Sequence, residues 1–467
     1  MNLNNILNKP YKHGFRIKLN SHTLKGGLNY KLLNNYKLLN KELTLVSKLR
    51  KTSLKILFNL KIPDWSYIDI PDINYDILIY YSKPIINNKI LLNKTLQKLG
   101  FSSINDGIIK NTALDVIFDS VSVFNSIKPY LNKFGILFIS LFEAINLFPN
   151  ILFRYICTVV PIHDNFYSTI NSIVFSEGSF CYIPQDVICN FNLSTYFRTN
   201  TKNFAQFERT LLIASKCSYV FYTEGCTAPI YKESQLHIAI VEIIIKYRGF
   251  VKYITVQNWY KGNNLGEGGV YNFTTKRGYC YEFSELEWVQ VEVGSSITWK
   301  YPSTILKGDY SVSKFYSISF VTDFQVADTG SKILHLGNFT KSLILSKSIS
   351  LNMSKNIYRG LIEVYKNSFG SLNKTECDSL LFGNNALTVT IPYSKIFNYL
   401  SNIEQEALIS KIDEYYLFFL RQRGMTLTNS ISLLVNSFCS NIYDKLPLEF
   451  ISEIPYLIFN KIEESYV

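Results

Sequence analysis

The chain has little sulfur chemistry on display. Its eight cysteines among 467 residues never fall in a CxxC or zinc-knuckle spacing, and it has only three methionines and five histidines. That excludes a zinc ribbon and a thioredoxin-like redox motif. A chain this long also needs no disulfide staples, so the expectation is a reducing compartment with individually buried or reactive thiols. No GxxxxGK followed by Ser or Thr occurs; GEGGV (266–270) reads as a tight turn, so any ATP must come through a partner. No long uninterrupted apolar run exists either. The longest, residues 134–160, is broken by Glu143, Asn146, Pro149, Asn150 and Arg154, which excludes a membrane span and predicts a soluble chain without a secretory signal.

Acidic residues are nearly missing from the first 62 positions, where Glu42 faces 13 Lys and Arg. The formal +12 therefore resides there, and the remaining 35 basic and 35 acidic residues cancel. A nucleic-acid binder carries its basic surface on the folded body, so this distribution argues against one. The leader, residues 1–40, is acid-poor like a transit peptide. Yet the Asn, Lys and Ile enrichment continues in NKFGILFISLFEAINLFPN (132–150), as base bias in an AT-rich genome would produce.

What is present divides the chain. Residues 61–84, with three prolines and short aromatic runs, read as an extended segment. Between 94 and 160 the spacing is helical: Leu114, Ile117, Val121 and Phe124 fall on one helix face, with Pro129 expected to end or kink that helix. From 165 to 401 short runs rich in Val, Ile, Thr, Ser, Tyr and Phe alternate with Gly, Asn and Asp, as in LILSKSISL (343–351). Coils of roughly twenty residues with Ser, Thr and Asn at the turns favour a parallel β-helix; an antiparallel barrel is the competitor. Beyond 402 helices are expected. Thr428 is the candidate N-cap for a stripe of Ile431, Leu434, Val435, Phe438 and Ile442, with Cys439 beside it in the core.

Several stretches, in order, carry a resemblance: STYFRTN (194–200), EGCTAP (224–229), KYITVQNWYKG (252–262), YNFTTKRG (271–278), SSITWKYPS (295–303), ADTGSKILHLGNFTKS (327–342), YRGLIEV (358–364), CDSLLFG (377–383) and RQRGMT (421–426). From about residue 40 to the C-terminus the chain resembles the SufB family of iron–sulfur cluster assembly scaffolds. The resemblance implies a mainly β fold: a right-handed parallel β-helix core (165–401) between an N-terminal extended and helical region (41–164) and a C-terminal helical domain (402–467). The implied partners are the ATPase SufC at the C-terminal helices, SufD or a second SufB along the β-helix, SufE with a cysteine desulfurase as sulfur donor, and apoprotein or carrier acceptors. Neither nucleic acid nor membrane is among them. The implied cargo is a transient iron–sulfur cluster of the 4Fe–4S type, with reduced flavin in the complex. A scaffold rather than an enzyme is expected. The base bias points to a plastid stroma of the apicoplast kind, with a bacterial-like cytosol as the alternative.

The same resemblance assigns roles. Cys226 is the sulfur acceptor; a reachable thiolate is required for that, and the Gly–Cys–Thr stretch reads as a flexible turn. A small buried residue is the alternative. Arg198, Asn200, Gln257, Trp259 and Lys276 match positions that line a sulfur path. Arg198 and Lys276 suit an anionic persulfide, Asn200 and Gln257 supply hydrogen bonds, and Trp259 a dry wall; as bare residues they read as strand-end charges or packed core. Cys377, Glu404 and Glu406 match positions that hold the nascent cluster, since thiolates and carboxylates both ligate iron. On a helix Glu404 and Glu406 diverge; in a loop they converge. The family pattern there is Glu-His-Glu, and this chain has Gln405 in the middle, a far poorer ligand. Cys280, His237 and His335 read as core residues. A polysaccharide-cleaving β-helix enzyme finds no carboxylate cluster on a strand face to support it. A structural adaptor that only docks the ATPase remains the other reading.

Overall fold

The computed structural model describes residues 21–40, 42–66, 68–84, 112–118, 121–125, 128–176, 178–199, 204–231, 233–263, 265–383 and 385–466. Residues 1–20, half of the basic leader, and Asn200 lie outside the described residues. Within them the chain is a parallel β-solenoid with helices at both ends, as the sequence predicts.

Successive strands alternate between two sheets. One has ten strands and runs from Val121–Asn125 and Thr112–Phe118 through Ile188–Arg198, Tyr219–Thr227, Phe250–Asn258 and Glu285–Val293 to Leu372–Phe382 and Asn402–Lys411. The other has nine and runs from Leu137–Ser140 and Ser179–Ile183 through Ala205–Ala214, Gln235–Ile245, Val270–Cys280 and Ile297–Leu306 to Leu387–Ile396. Each solenoid strand pairs in parallel with its equivalent one coil away. Gln257 lies opposite Cys226, 31 positions back, and Glu292 opposite Gln257, 35 positions back. Coils are thus about half as long again as the spacing of turn residues suggested, because each holds two strands of nine to eleven residues rather than short ones.

The turns are built at a conformational cost. Cys217, Arg248, Phe283, Tyr310 and Phe339 all adopt positive φ, between 52° and 58°, where a Cβ is unwelcome. Each donates its backbone N–H to a carbonyl of the next coil, at 2.7–3.0 Å. The rings of Phe283, Tyr310 and Phe339 stack at 5.0 and 5.2 Å, nearly parallel. The stack stops at Gly370, whose added Cβ would meet the Phe339 ring at 2.7 Å.

Helices cover the outer faces. Helix Phe166–Val174, opened by an Asn165–Ser168 capping box, lies on the nine-stranded sheet, where Asn171 donates to the carbonyls of Glu208 and Ile238. Arg50, from helix Thr44–Leu57, caps its far end by donating to the carbonyls of Ile173 and Phe175 at 2.7 and 2.9 Å. Beneath, the fully buried Arg209–Glu242 pair (2.6 Å) accepts the backbone N–H groups of Cys157, Val159 and Val160 on the carboxylate. At the other end, helices Glu414–Gln422, Leu427–Tyr443 and Leu448–Tyr466 pack on the ten-stranded sheet through Leu417, Ile431, Val435, Cys439 and Ile442 against Ile254, Val256, Val291 and Ile318.

Five expectations need correction. Thr112–Phe118 and Val121–Asn125 are strands, not a helix; Ala113 to Ile117 are buried on both strand faces, which erases the period-two signal. Pro129 then sits at the start of a short helix, Lys128–Lys133, rather than ending one. Helix Phe166–Val174 falls inside the stretch read as strands, and the strand Asn402–Lys411 inside the stretch read as helical. Thr426, not Thr428, caps its helix, accepting from Asn429 N–H at 3.2 Å.

His335 is buried as expected, with both ring nitrogens occupied by Thr340 (2.7 Å) and Ser342 (3.0 Å), and burial pushes it down to about 4. Its folded pKa lies below the unfolded value, so its contribution is present above pH 6.5 and lost as pH falls towards 4, at most about 3 kcal/mol. Denaturant titration of His335→Gln is expected to show a lower midpoint at pH 7 but a shallower fall between pH 6.5 and 4.5 than the unmodified chain.

Candidate functional site

Strand alternation decides which residues face the solenoid interior. On the ten-stranded sheet these include Tyr222, Glu224 and Cys226, then Tyr253, Thr255 and Gln257, then Glu292. On the nine-stranded sheet they include Gln206 and Glu208, His237, then Asn272, Thr274 and Lys276, then Lys300. All of these are buried. Two sheets therefore close around a chamber of charged and amide side chains, in a region that elsewhere is apolar core.

Within it, Lys276 Nζ sits 3.1 Å from Glu224 Oε1 and 2.8 Å from Thr255 Oγ1. The Tyr253 hydroxyl donates to the other Glu224 oxygen, and Lys300 pairs with Glu292. Burial alone would raise the Glu224 pKa, but Lys276, the Tyr253 hydroxyl and Lys300 outweigh it and hold the carboxylate low. Burial lowers Lys276 despite Glu224.

Cys226 is 1 % exposed and lies in strand Tyr219–Thr227, not in a flexible turn. The turn reading fails because Gly225, which suggested it, continues the strand opposite Tyr196, whose ring an added Cβ would meet at 3.1 Å. The thiol has a dry side of Ile117, Phe197, Ala228, Trp259 and Val270 and a polar side. On the polar side Sγ donates towards Glu224 Oε1 at 3.9 Å and accepts from Gln257 Nε2 at 3.8 Å. Burial first, then the Glu208 and Glu224 charges, push its pKa up, with Lys276 and Lys300 opposing.

Of the residues matched to the sulfur path, Gln257, Trp259 and Lys276 gather at this thiol. Trp259 Nε1 donates to Gln257 Oε1 at 3.2 Å. None is the solvated strand-end charge or plain core residue that the bare sequence suggests. Arg198 is also fully buried but alternates to the other strand face, where it donates to Thr227 Oγ1 at 3.2 Å. The sequence reading missed Glu208, Tyr253, Asn272, Glu292 and Lys300, and took His237 for ordinary core. Their signal is polar residues at every second position of otherwise apolar runs, as in AQFERTLL (205–212).

The second proposed centre is less assembled. Cys377 is 2 % exposed in strand Leu372–Phe382, faces the interior, and interacts with Tyr358; burial pushes it up to about 12, with Asp378 adding. Glu404 and Glu406 are on a strand, neither helix nor loop, so they share a face. That face is the outer one, beside Lys374 and Glu376, which form a 2.7 Å ion pair. This chain alone therefore does not bring Cys377 together with the two glutamates. Gln405 is the residue on the Cys377 side, opposite Thr375, and its Oε1 accepts from Ser394. Cys280 is fully buried in the apolar core, and Cys439 on the sheet-facing side of helix Leu427–Tyr443.

Comparison with known proteins places this geometry. A family model described as "SUF system FeS cluster assembly, SufBD core domain" matches residues 197–438. The chain is 54% identical to the iron-sulfur cluster assembly protein SufB of Plasmodium falciparum, covering 100% of this chain and 99% of that one. The chain belongs to the SufBD family of iron–sulfur cluster assembly proteins. A SufBD family protein of Trieres chinensis is 44% identical, over 99% of this chain and 97% of its own length. The chloroplastic SufBD family protein of Arabidopsis thaliana is 42% identical, over 97% and 83%. The family model begins at Phe197, which pairs with Cys226, and so takes in the whole chamber.

Iodoacetamide labelling of the native chain at pH 8, read by peptide mass spectrometry, is expected to modify exposed Cys217 and to leave Cys226 at least about tenfold slower, because a buried thiol with a raised pKa is rarely thiolate.

Proposed function

We propose that this chain is a scaffold that accepts sulfur on Cys226 and supports assembly of an iron–sulfur cluster near Cys377. The observation that carries the reading is the Cys226 thiol set among Glu224, Gln257 and Lys276 inside a solenoid whose neighbouring interior is apolar. Persulfide sulfur is lost to water and to stray thiols, and burial prevents both. In the accepting step the Cys226 thiolate attacks the outer sulfur of a donor persulfide. The donor's S–S bond breaks, and the donor leaves as a thiol. In this reading the Cys226 proton passes by way of Glu224 Oε1 to the departing donor sulfur, and the Gln257 amide and Lys276 ammonium stabilise the charge on sulfur during the transfer. The donor is a SufE-type carrier fed by a cysteine desulfurase.

A buried acceptor needs an opening motion, and the chain has no phosphate-binding loop with which to drive one. The C-terminal helices are suited to transmit it from an ATPase of the SufC kind. Tyr415, Tyr416, Phe418 and Phe419 on Glu414–Gln422 are exposed, and the same helical layer packs on Ile254 and Val256, neighbours of Gln257 on its strand. The last strands, Leu387–Ile396 and Asn402–Lys411, leave sheet edges with exposed Leu387, Tyr393, Ile396, Leu408 and Ile409. A SufD subunit or a second copy fits there, and would supply the ligand that Gln405 does not, next to Cys377, Glu404 and Glu406. The assembled cargo is a 4Fe–4S cluster, with reduced flavin as electron source, passed to apoproteins. The relatives fit residence in a plastid stroma.

Anaerobic copurification with the ATPase and paired subunit tests this. Incubated with a persulfide donor, the unmodified chain gains 32 Da per accepted sulfur (by the order-of-magnitude mass of sulfur, about 32) on the Cys226 peptide, and Cys226→Ser gains none while its far-UV circular dichroism is unchanged. Cys377→Ser still accepts sulfur but yields a colourless complex with little acid-labile sulfide. Sulfur loading that persists in Cys226→Ser would refute the acceptor assignment and leave an adaptor that only docks the ATPase.

A further inference from the structure

The Cys226 chamber contains two groups that the sulfur reading does not use. Glu208 Oε1 and His237 Nε2 pair at 3.2 Å, both buried, and neither atom has another hydrogen-bond partner among the described residues. Together with Cys226 Sγ they form a three-atom set in which every pair lies within 4.8 Å.

The surrounding hydrogen bonds fix which way these atoms point. The Trp259 indole N–H can only donate, so the Gln257 atom it meets at 3.2 Å is the oxygen. The Gln257 nitrogen then points to Cys226, and the 2.6 Å contact from Asn272 to Gln257 Oε1 comes from the Asn272 nitrogen. The Asn272 oxygen is left to face His237 Nδ1 at 2.9 Å and Thr274 Oγ1 at 3.0 Å. His237 Nδ1 therefore carries a hydrogen. With Nδ1–H committed to Asn272, Nε2 faces the Glu208 oxygen across one shared cation, either the proton this pair carries or a metal ion that displaces it. This is the arrangement in which a metal-binding histidine is held by its other ring nitrogen.

We propose that Glu208, Cys226 and His237 form a divalent transition-metal site inside the solenoid, with one position left open. The donor set of one thiolate, one imidazole and one carboxylate suits ferrous, cobaltous or zinc ions. Bonds of about 2.0–2.3 Å to a tetrahedral centre place ligand atoms about 3–4 Å apart, so small side-chain rotations convert the observed set into a coordinating one. Binding is charge-neutral for the chamber. A dication enters, and the Cys226 thiol and the His237–Glu208 pair each give up one proton; nothing is oxidised or reduced. The Lys276–Glu224 and Lys300–Glu292 pairs stay balanced. That the ion is Fe2+ rests on the assembly role proposed above: iron would then meet sulfur on the thiol that accepts it, with the open position facing the incoming sulfur.

The test is an anaerobic titration of the purified full chain with Co2+ alone, followed by equilibrium dialysis against Fe2+ alone. One equivalent of Co2+ is expected, with a near-ultraviolet sulfur-to-cobalt band and the intense visible bands of a four-coordinate ion. Cys226→Ser should lose the ultraviolet band. His237→Gln and Glu208→Gln should each weaken binding at least tenfold, circular dichroism showing that at least one of them remains folded. One equivalent of Fe2+ should be retained by the unmodified chain and lost from the same variants. No cobalt spectrum, or one that survives all three substitutions, overturns the site. Cobalt binding without Fe2+ retention overturns the iron assignment. Persulfide formation on Cys226 in metal-free buffer, scored separately, keeps the sulfur reading and the metal site independently refutable.

Discussion

Everything in this molecule follows from in-register parallel stacking. A strand that pairs with its equivalent one coil away places residue on residue, so side chains form columns with a fixed inward or outward sense. One slipped residue would send an entire column to the other face. Apolar columns such as Val220, Val251, Leu286 benefit without further condition. Charged columns are tolerated only if the neighbouring column supplies the opposite sign. The chamber meets that demand across the two sheets: Glu224 on one against Lys276 on the other, Glu292 against Lys300. Deleting one member of such a pair leaves a bare buried charge, typically about 3–5 kcal/mol.

The stacking also accounts for the outer layers. Each sheet presents an apolar outer face, and each recruits helices from its own end of the chain. The N-terminal layer is pinned by hydrogen-bonded charge, through Arg50 and the Arg209–Glu242 pair. The C-terminal layer is pinned by apolar contact. A layer held mainly by apolar contact, with Lys347 over the Phe438 ring and Lys445 over the Tyr316 ring, slides at lower cost than one held by buried directed bonds. The layer behind Gln257 is the apolar one.

Much of this was legible in the residues. Short β-rich runs, turn residues between them and the helical stripe from Ile431 to Ile442 predict a parallel solenoid with a helical end, and EGCTAP, VQNW and TTKR mark three of the strands that build the chamber. What stayed hidden has physical causes. Ala113 to Ile117 are buried on both faces, Asp115 included, so no alternation marks the strand and the spacing of Leu114 and Ile117 mimics a helix face. The length of a coil is set by backbone pairing across about thirty residues, which no local signal reports (roughly the 27–35 spacing of the stacked columns). Glu208, Glu292 and Lys300 look like solvated charges because each partner lies on a different strand. Gly225 signals a turn by composition and is flattened into a strand by its neighbours.

The ladder of left-handed turns has a consequence for how such a chain can change length. Each of Cys217, Arg248, Phe283, Tyr310 and Phe339 is held in an unfavourable backbone state by the coil above it. At that corner the connections range only from four residues (246–249) to seven (365–371). The loop between Asn258 and Val270, at the opposite corner, is where the spacing of adjacent coils stretches to 35. The wider variation in length is at that other corner, from three residues (294–296) to eleven (259–269), and the longest connection there carries Trp259, through which it borders the Cys226 chamber.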